Sequence, residues 1–221
     1  MPPLVFNGVT IPDNSANALS FNGSDVTQVV FNGTTVWQQS LGPSYSVGFS
    51  PVLDTVSGES GQWSQRTVDI SGYAGATVRP VFHYVSGSSY TGDIQLDQIV
   101  IGGTTSSFEA WGDGYQRNLK TLQTSDYASV DWVSLSTGGT NGEWMRDLNG
   151  TPSGGTGLQT AASGSFYVYA ETSQAGSGFP DKDIWLRGPQ VTLGASPTFT
   201  YYEARLGATI GTLNVHLDVI S

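Results

Sequence analysis

Cysteine is absent from the 221 residues, which excludes disulfides, thiolate metal ligands and cysteine nucleophiles. The compartment stays open, because a protein assembled in a reducing cytoplasm and working outside it needs no cysteine. Charge is scarce too, at 12% of residues. Lys and Arg number eight and are scattered, against eighteen Asp and Glu, for a formal net charge of −10. A nucleic-acid surface needs a clustered basic patch, so that partner is not expected. No window approaches the roughly 18 to 20 apolar residues of a spanning helix, so membrane insertion is not expected either. No charged stretch precedes an apolar run at the N-terminus, and a secretory leader is not expected. The only histidines are His83 and His216. Each stands in a strand-like run beside apolar positions, where a structural role is the expectation. Neither G-x-S-x-G nor H-E-x-x-H occurs. Carboxylates are plentiful, but nothing in the sequence sets two of them across a cleft as a glycosidase requires. An enzyme is therefore not expected.

What is present is glycine, 29 residues of it, with short runs that alternate apolar and polar side chains. Many short strands joined by Gly, Ser and Thr turns give this profile, and long amphipathic helices do not. The clearest alternation closes the chain: Leu213, Val215, Leu217 and Val219 on one side, Thr212, Asn214, His216 and Asp218 on the other. It predicts one buried and one wet face. Phe166, Val168 and Ala170 alternate with Tyr167, Tyr169 and Glu171, and Val68 and Ile70 with Thr67 and Asp69. In Asp93–Ile101 the phase slips. Ile94 and Leu96 share a face that Ile99 and Ile101 leave, and a β-bulge near Asp97-Gln98 would restore it. Long Gly-rich connections between antiparallel strands suit a jelly roll or Greek-key sandwich.

The first 44 residues differ. Phe6-Asn7-Gly8, Phe21-Asn22-Gly23 and Phe31-Asn32-Gly33 repeat one tripeptide. Asn-Gly between β-formers is a strong hairpin signal, because a type I′ turn needs positive φ at both central residues. Val29 through Trp37 is the clearest case. One reading is a small β-meander within a single fold. The other is an anchor, since so short a segment buries too little surface to stand alone and its strand edges need a partner. Phe6, Phe21, Phe31 and Trp37 are its contact candidates. The Asn-Gly repeat resembles the N-termini of bacteriophage tail-fibre, baseplate and related virion proteins. Leu41-Gly42-Pro43-Ser44 is linker chemistry and sets the boundary near residue 44.

Residues 107–221 contain Ser107-Phe108-Glu109, Asp131-Trp132, Gly164 through Ser173, Trp185-Leu186-Arg187-Gly188-Pro189, Thr198 through Tyr202 and Gly207 through Val215. Together they resemble the opening half of a MAM domain, a jelly roll of adhesion receptors and metalloprotease ectodomains. Trp63, Val68-Asp69-Ile70, Val81-Phe82 and Gly92-Asp93-Ile94-Gln95-Leu96-Asp97-Gln98-Ile99 resemble its closing half. The family's cysteines are missing, and the order is permuted. Gly102-Gly103-Thr104-Thr105-Ser106 joins the usual end to the usual beginning. The permutation implies that Asp93–Ile101 runs beside the stretch starting at Phe108. Closure within one chain is favoured over exchange with a neighbour, because a short join sets a local pairing.

The resemblance also implies a hard structural cation where first and last strands meet, with oxygen ligands suited to Ca²⁺. Its candidates are Glu109, Asp93, Asp97 and Asp131. The alternative is that these carboxylates cap turns and face water. For ligand binding, Trp111, Tyr115, Tyr127 and Trp144 stand in loop-like polar surroundings. Such rings stack on sugars or fill partner pockets, or else they close the ends of the core.

The expectation is thus an all-β chain: an antiparallel jelly-roll β-sandwich at 45–221 (closing half 45–102, opening half 107–221) behind a β-hairpin anchor at 1–44. A non-enzymatic tail-fibre, tail-tip or baseplate protein follows, on the virion surface after assembly in the host cytoplasm. Its partners would be other virion subunits through residues 1–44, a host-surface glycan or protein, and copies of itself. The alternatives are a capsid decoration or head-fibre protein without receptor, and a secreted bacterial carbohydrate-binding or adhesion module working extracellularly.

Overall fold

The computed structural model describes the strand residues of the first 44 positions, and residues 48–109, 117–118, 132–134, 142–173 and 182–221. The chain divides into two compact units, Met1–Ser44 and Tyr45–Ser221.

The first unit holds three separate antiparallel hairpins. They are β1 (Leu4–Phe6) with β2 (Val9–Ile11), β3 (Leu19–Phe21) with β4 (Ser24–Val26), and β5 (Gln28–Phe31) with β6 (Thr34–Gln38). The pairs Phe6↔Val9, Phe21↔Ser24 and Phe31↔Thr34 leave two residues between partners, Asn-Gly each time. The repeat is therefore one local device used three times, not only at Val29–Trp37. Phe6, Phe21 and Phe31 end the first strand of each hairpin, and Trp37 lies in β6. Their side chains lie outside the described residues.

The second unit continues in chain order with β7 (Gly48–Phe49), β8 (Asp54–Ser57), β9 (Trp63–Val68), β10 (Thr77–Val85), β11 (Ile94–Ile101), β12 (Thr104–Ser106) and β13 (Arg117–Asn118). It ends with β14 (Val133–Ser134), β15 (Glu143–Asp147), β16 (Tyr167–Glu171), β17 (Asp183–Arg187), β18 (Val191–Thr192), β19 (Phe199–Arg205) and β20 (Thr212–Val219). They form two antiparallel sheets packed face to face, a β-sandwich of jelly-roll type. One has the order β14-β17-β10-β20-β7, with β8 also on β20 and β18 on β10. The other has the order β13-β15-β16-β11-β19-β9, with β12 on β11.

Both sheets mix early and late strands. β10 lies between β17 and β20, and β11 between β16 and β19. The stretches 45–102 and 107–221 thus complete one sandwich within one chain. β11 turns directly into β12 through Gly102 and Gly103, at φ 55° and 84°, with Ile101 opposite Thr104. Two consecutive positive φ values are the demand of a type I′ turn, and glycine meets it without steric cost. The hairpin delivers Phe108, itself at φ 61° and buried, into the core beside Trp132.

The core follows the alternation. Leu213, Val215, Leu217 and Val219 are all buried. Full burial of each such side chain is worth roughly 1.5–3 kcal/mol. Phe82 of β10 meets Phe199 and Tyr201 of β19 edge-on, with ring centroids 6.1 and 5.1 Å away, tying one sheet to the other. The bulge is where the phase slip requires it. Register between β11 and β19 shifts between Asp97 and Val100, and Gln98 takes φ 45°. Ile94, Leu96, Ile99 and Ile101 all reach the core as a result. At one edge, Arg66 of β9 grips Asp54 of β8 with two hydrogen bonds, 2.6 and 3.0 Å long, and the Tyr201 hydroxyl donates to the same carboxylate at 2.9 Å. That cluster links the two sheets where they would otherwise part.

Candidate functional site

The strand period predicts that Asp93, Gln95 and Asp97 project from β11 away from the core, and they do. That outer face is not wet, because residues 148–166, between β15 and β16, lie over it. Asp93, Gln95, Asp97, Tyr167 and Tyr169 are all buried. The covering segment has few backbone partners of its own, so side chains below it supply them. The Gln95 amide donates to Leu158 O at 3.0 Å and accepts from Leu158 N at 2.5 Å. Asp97 accepts from Ser163 N at 3.0 Å and from Gln98 N at 2.6 Å. Glu109 Oε1 accepts from Ser165 N and Phe166 N at 2.9 and 2.8 Å. Gly164 permits that grip, since a Cβ there would sit 2.5 Å from Glu109 Oε1.

The cation candidates are therefore divided. Glu109 and Asp97 come together, close enough that burial first, and then the Glu109 charge, hold Asp97 up at about 6. Asp93 stands four residues away along the strand, about 13 Å by strand geometry. Its neighbour is Glu171, which nothing in the sequence singled out. Burial, with Glu171 adding to it, pushes Asp93 up to about 7. Asp93 Oδ1 accepts from Thr172 N and Oγ1 at 3.0 and 2.9 Å, while Oδ2 is buried without a partner. A calcium cage needs six to eight oxygen ligands. Here N–H donors already point at Glu109 and at both Asp97 oxygens, and among the described residues no three His, Asp or Glu side chains converge as a metal group. The described residues thus fit carboxylates that fasten a loop better than they fit a hard-cation cage. Asp131 lies outside the described residues.

Trp144 is also not at the surface. It is fully buried on β15, its backbone N–H donating to Ser134 Oγ at 3.1 Å. Its ring belongs to the core, so it presents no face to a ligand. Trp111, Tyr115 and Tyr127 lie outside the described residues.

A half-buried ring cluster, with Phe49 exposed, lies on the outer face of the sheet β14-β17-β10-β20-β7. The register sets Trp185 opposite His83 and His83 opposite Asn214, with His216 one step along β20. Trp185 and His83 stack in parallel, 3.8 Å between centroids and 10° between planes. Phe49, 54% exposed, lies 5.6 Å from Trp185 at 13°. His216 is 6.1 Å from Trp185 and 6.4 Å from His83. Asp183 Oδ1 holds the arrangement from one side, 2.5 Å from His83 Nε2 and accepting from Trp185 Nε1 at 2.8 Å. His216 Nδ1 is 3.1 Å from Ser50 O.

Both histidines of the chain thus meet on one surface. The alternation on β20 already placed His216 on a wet face. What the sequence did not carry was the register that brings His83, Trp185 and Phe49 to it. At its edge the Thr55 hydroxyl donates to Asn214 Oδ1 at 2.9 Å. Its chemistry is that of contact: flat apolar rings edged by a carboxylate, an amide and imidazoles.

No protein-family model matches this chain, and no solved structure matches it.

Proposed function

We propose that this chain is a non-enzymatic virion component, a tail-fibre, tail-tip or baseplate subunit. In it the unit Met1–Ser44 attaches to the particle and the sandwich Tyr45–Ser221 is displayed for host-surface contact. One observation carries the reading. The chain separates into a unit of three small hairpins, counted among the described residues, and a sandwich whose outer face carries a half-buried ring stack with Phe49 exposed on it. Two-stranded hairpins are at best marginal in water alone, so the first unit calls for a partner surface. Exposed rings edged by polar groups are the usual material of recognition surfaces. The Asn-Gly repeat supports the virion setting as a resemblance only, and the permuted MAM-like order supports a contact role in the same way. A capsid decoration subunit without receptor would share the attachment half, and the ring cluster with Phe49 exposed favours display over that alternative.

The test is immunogold electron microscopy of particles from the native source, with antibody raised against residues 45–221. Label on a tail or baseplate is the expected result. Virions that carry no label would refute the proposal.

A further inference from the structure

The aromatic face carries charge of an unusual kind for this protein. The chain has a formal net charge of −10 and only eight Lys and Arg. Two of those eight, Arg79 and Arg187, share this face with both histidines. Strand periodicity places them there: Arg79 and His83 alternate on β10, Trp185 and Arg187 on β17, and Asn214, His216 and Asp218 on β20. The carboxylates facing them are Asp183 and Asp218. Asp183 is engaged with His83 and Trp185, and Asp218 lies 3.7 Å from Arg79. Arg187 has no carboxylate among the described residues. Its Nε is buried without a hydrogen-bond partner. The Nε of Arg79 is orphaned in the same way, and because both are buried an anion would meet the terminal guanidinium nitrogens instead.

We propose that this face binds an acidic saccharide, a pyranose bearing a carboxylate, with the sugar's C–H face on the exposed ring of Phe49 and its carboxylate on the terminal nitrogens of Arg187. The inference rests on the display reading and names its ligand class. Three features favour a sugar over an apolar peptide. The rings are flat, and Phe49 is more than half exposed. The polar groups at their edge are suited to hydroxyls. The Asp183 side chain is 58% exposed, and Asn214 accepts from Thr55 through Oδ1, which leaves its amide nitrogen to donate. The guanidinium fork matches a carboxylate in two parallel hydrogen bonds, which a neutral sugar does not supply.

The experiment uses the full chain and three probe pairs: oligogalacturonate, hyaluronan oligosaccharides and sialyllactose, each against its carboxyl-reduced or desialylated counterpart. Binding is read by titration calorimetry at low salt. The expected result is saturable binding to at least one acidic probe and at least tenfold weaker binding to its neutral counterpart. Arg187→Gln should remove most of that preference. Phe49→Ala should weaken both members of the pair tenfold or more. Tyr90→Ala, an equally exposed ring in the Ser86–Gly92 loop, should change neither. Phe49 and Arg187 lie outside the core, so a melting temperature within a few degrees of wild type will show that the variants fold. Absence of saturable binding to all three acidic probes overturns the proposal, as does binding indifferent to both Phe49→Ala and Arg187→Gln. Labelled virions with no saccharide binding would sink this inference alone. Saccharide binding by a protein found on no particle would sink the display reading alone.

Discussion

Asp93 makes the stability of the sandwich depend on pH, in the direction opposite to an ordinary ion-paired carboxylate. Its side chain is fully buried beside Glu171, and burial with that neighbouring charge lifts it from 3.8 to about 7. A raised carboxyl holds its proton in the folded chain where the unfolded chain has lost it. Stability from this group is therefore complete below about pH 4 and declines as pH rises to about 7. One proton gives a slope of ~1.4 kcal/mol per pH unit, and the window gives ~4 kcal/mol in all. Asp93→Asn cannot titrate, yet its Oδ1 can still accept from Thr172 N and Oγ1. The variant should match wild type near pH 4 and exceed it by up to ~4 kcal/mol at pH 8. The assay is urea denaturation of both proteins from pH 4 to 8, followed by near-ultraviolet circular dichroism. Excess chelator is needed throughout, because a bound cation would reverse the effect of the carboxyl's surroundings. Asp97, held up at about 6, shapes both profiles and cancels in their difference, since about 13 Å of strand separates it from Asp93. A stability difference that stays constant from pH 4 to 8 would refute the reasoning.

Three further outcomes follow from the packing. Gly211→Ala should cost about 3 kcal/mol or more in urea denaturation, because its Cβ would lie 1.9 Å from the Val85 carbonyl oxygen, a backbone atom that cannot turn away. A melting temperature close to wild type would contradict that close approach. Adding millimolar Ca²⁺ to chelated protein should leave the melting temperature unchanged, since N–H donors already occupy Glu109 and Asp97. A rise of several degrees would restore the cation reading, because a bound metal stabilises by mass action. Deleting residues 1–44 should leave a sandwich that unfolds cooperatively, because among the described residues the buried core runs from Val56 onward with Leu53 packed against it. A truncated chain with no cooperative transition would contradict the division at Ser44.

What was legible in the sequence was what one face of a strand reports by itself. Leu213 to Val219 announce their burial at every second residue, and the interrupted phase of Ile94 to Ile101 announces a bulge without any knowledge of the partner strand. The Asn-Gly pairs are equally local, so three hairpins could be read from three tripeptides. The outer faces were a different matter. Asp93, Gln95 and Asp97 alternate as a wet face should, and only the covering segment 148–166 makes them buried. A Gly-rich stretch carries no pattern that says where it will lie. For Trp144 the sequence left ligand contact and core closure both open; flanking polar residues look like a loop, and the pairing of β15 with β16 and the burial of the ring decide for the core.

The aromatic face shows the limit most sharply. His83, Trp185 and Asn214 are separated by some hundred residues in one direction and about thirty in the other, and they meet only because β10 pairs with β17 on one side and β20 on the other. Register across three strands is a property of the whole sheet, set by the buried sides of those strands. Phe82, Leu186 and Val215 fix it from within by packing together. Shifting any one of the three strands by a single residue would turn those side chains outward and disperse the rings at once. The core is thus what assembles the surface: the residues that hold the sandwich together also decide which of its exposed groups become neighbours.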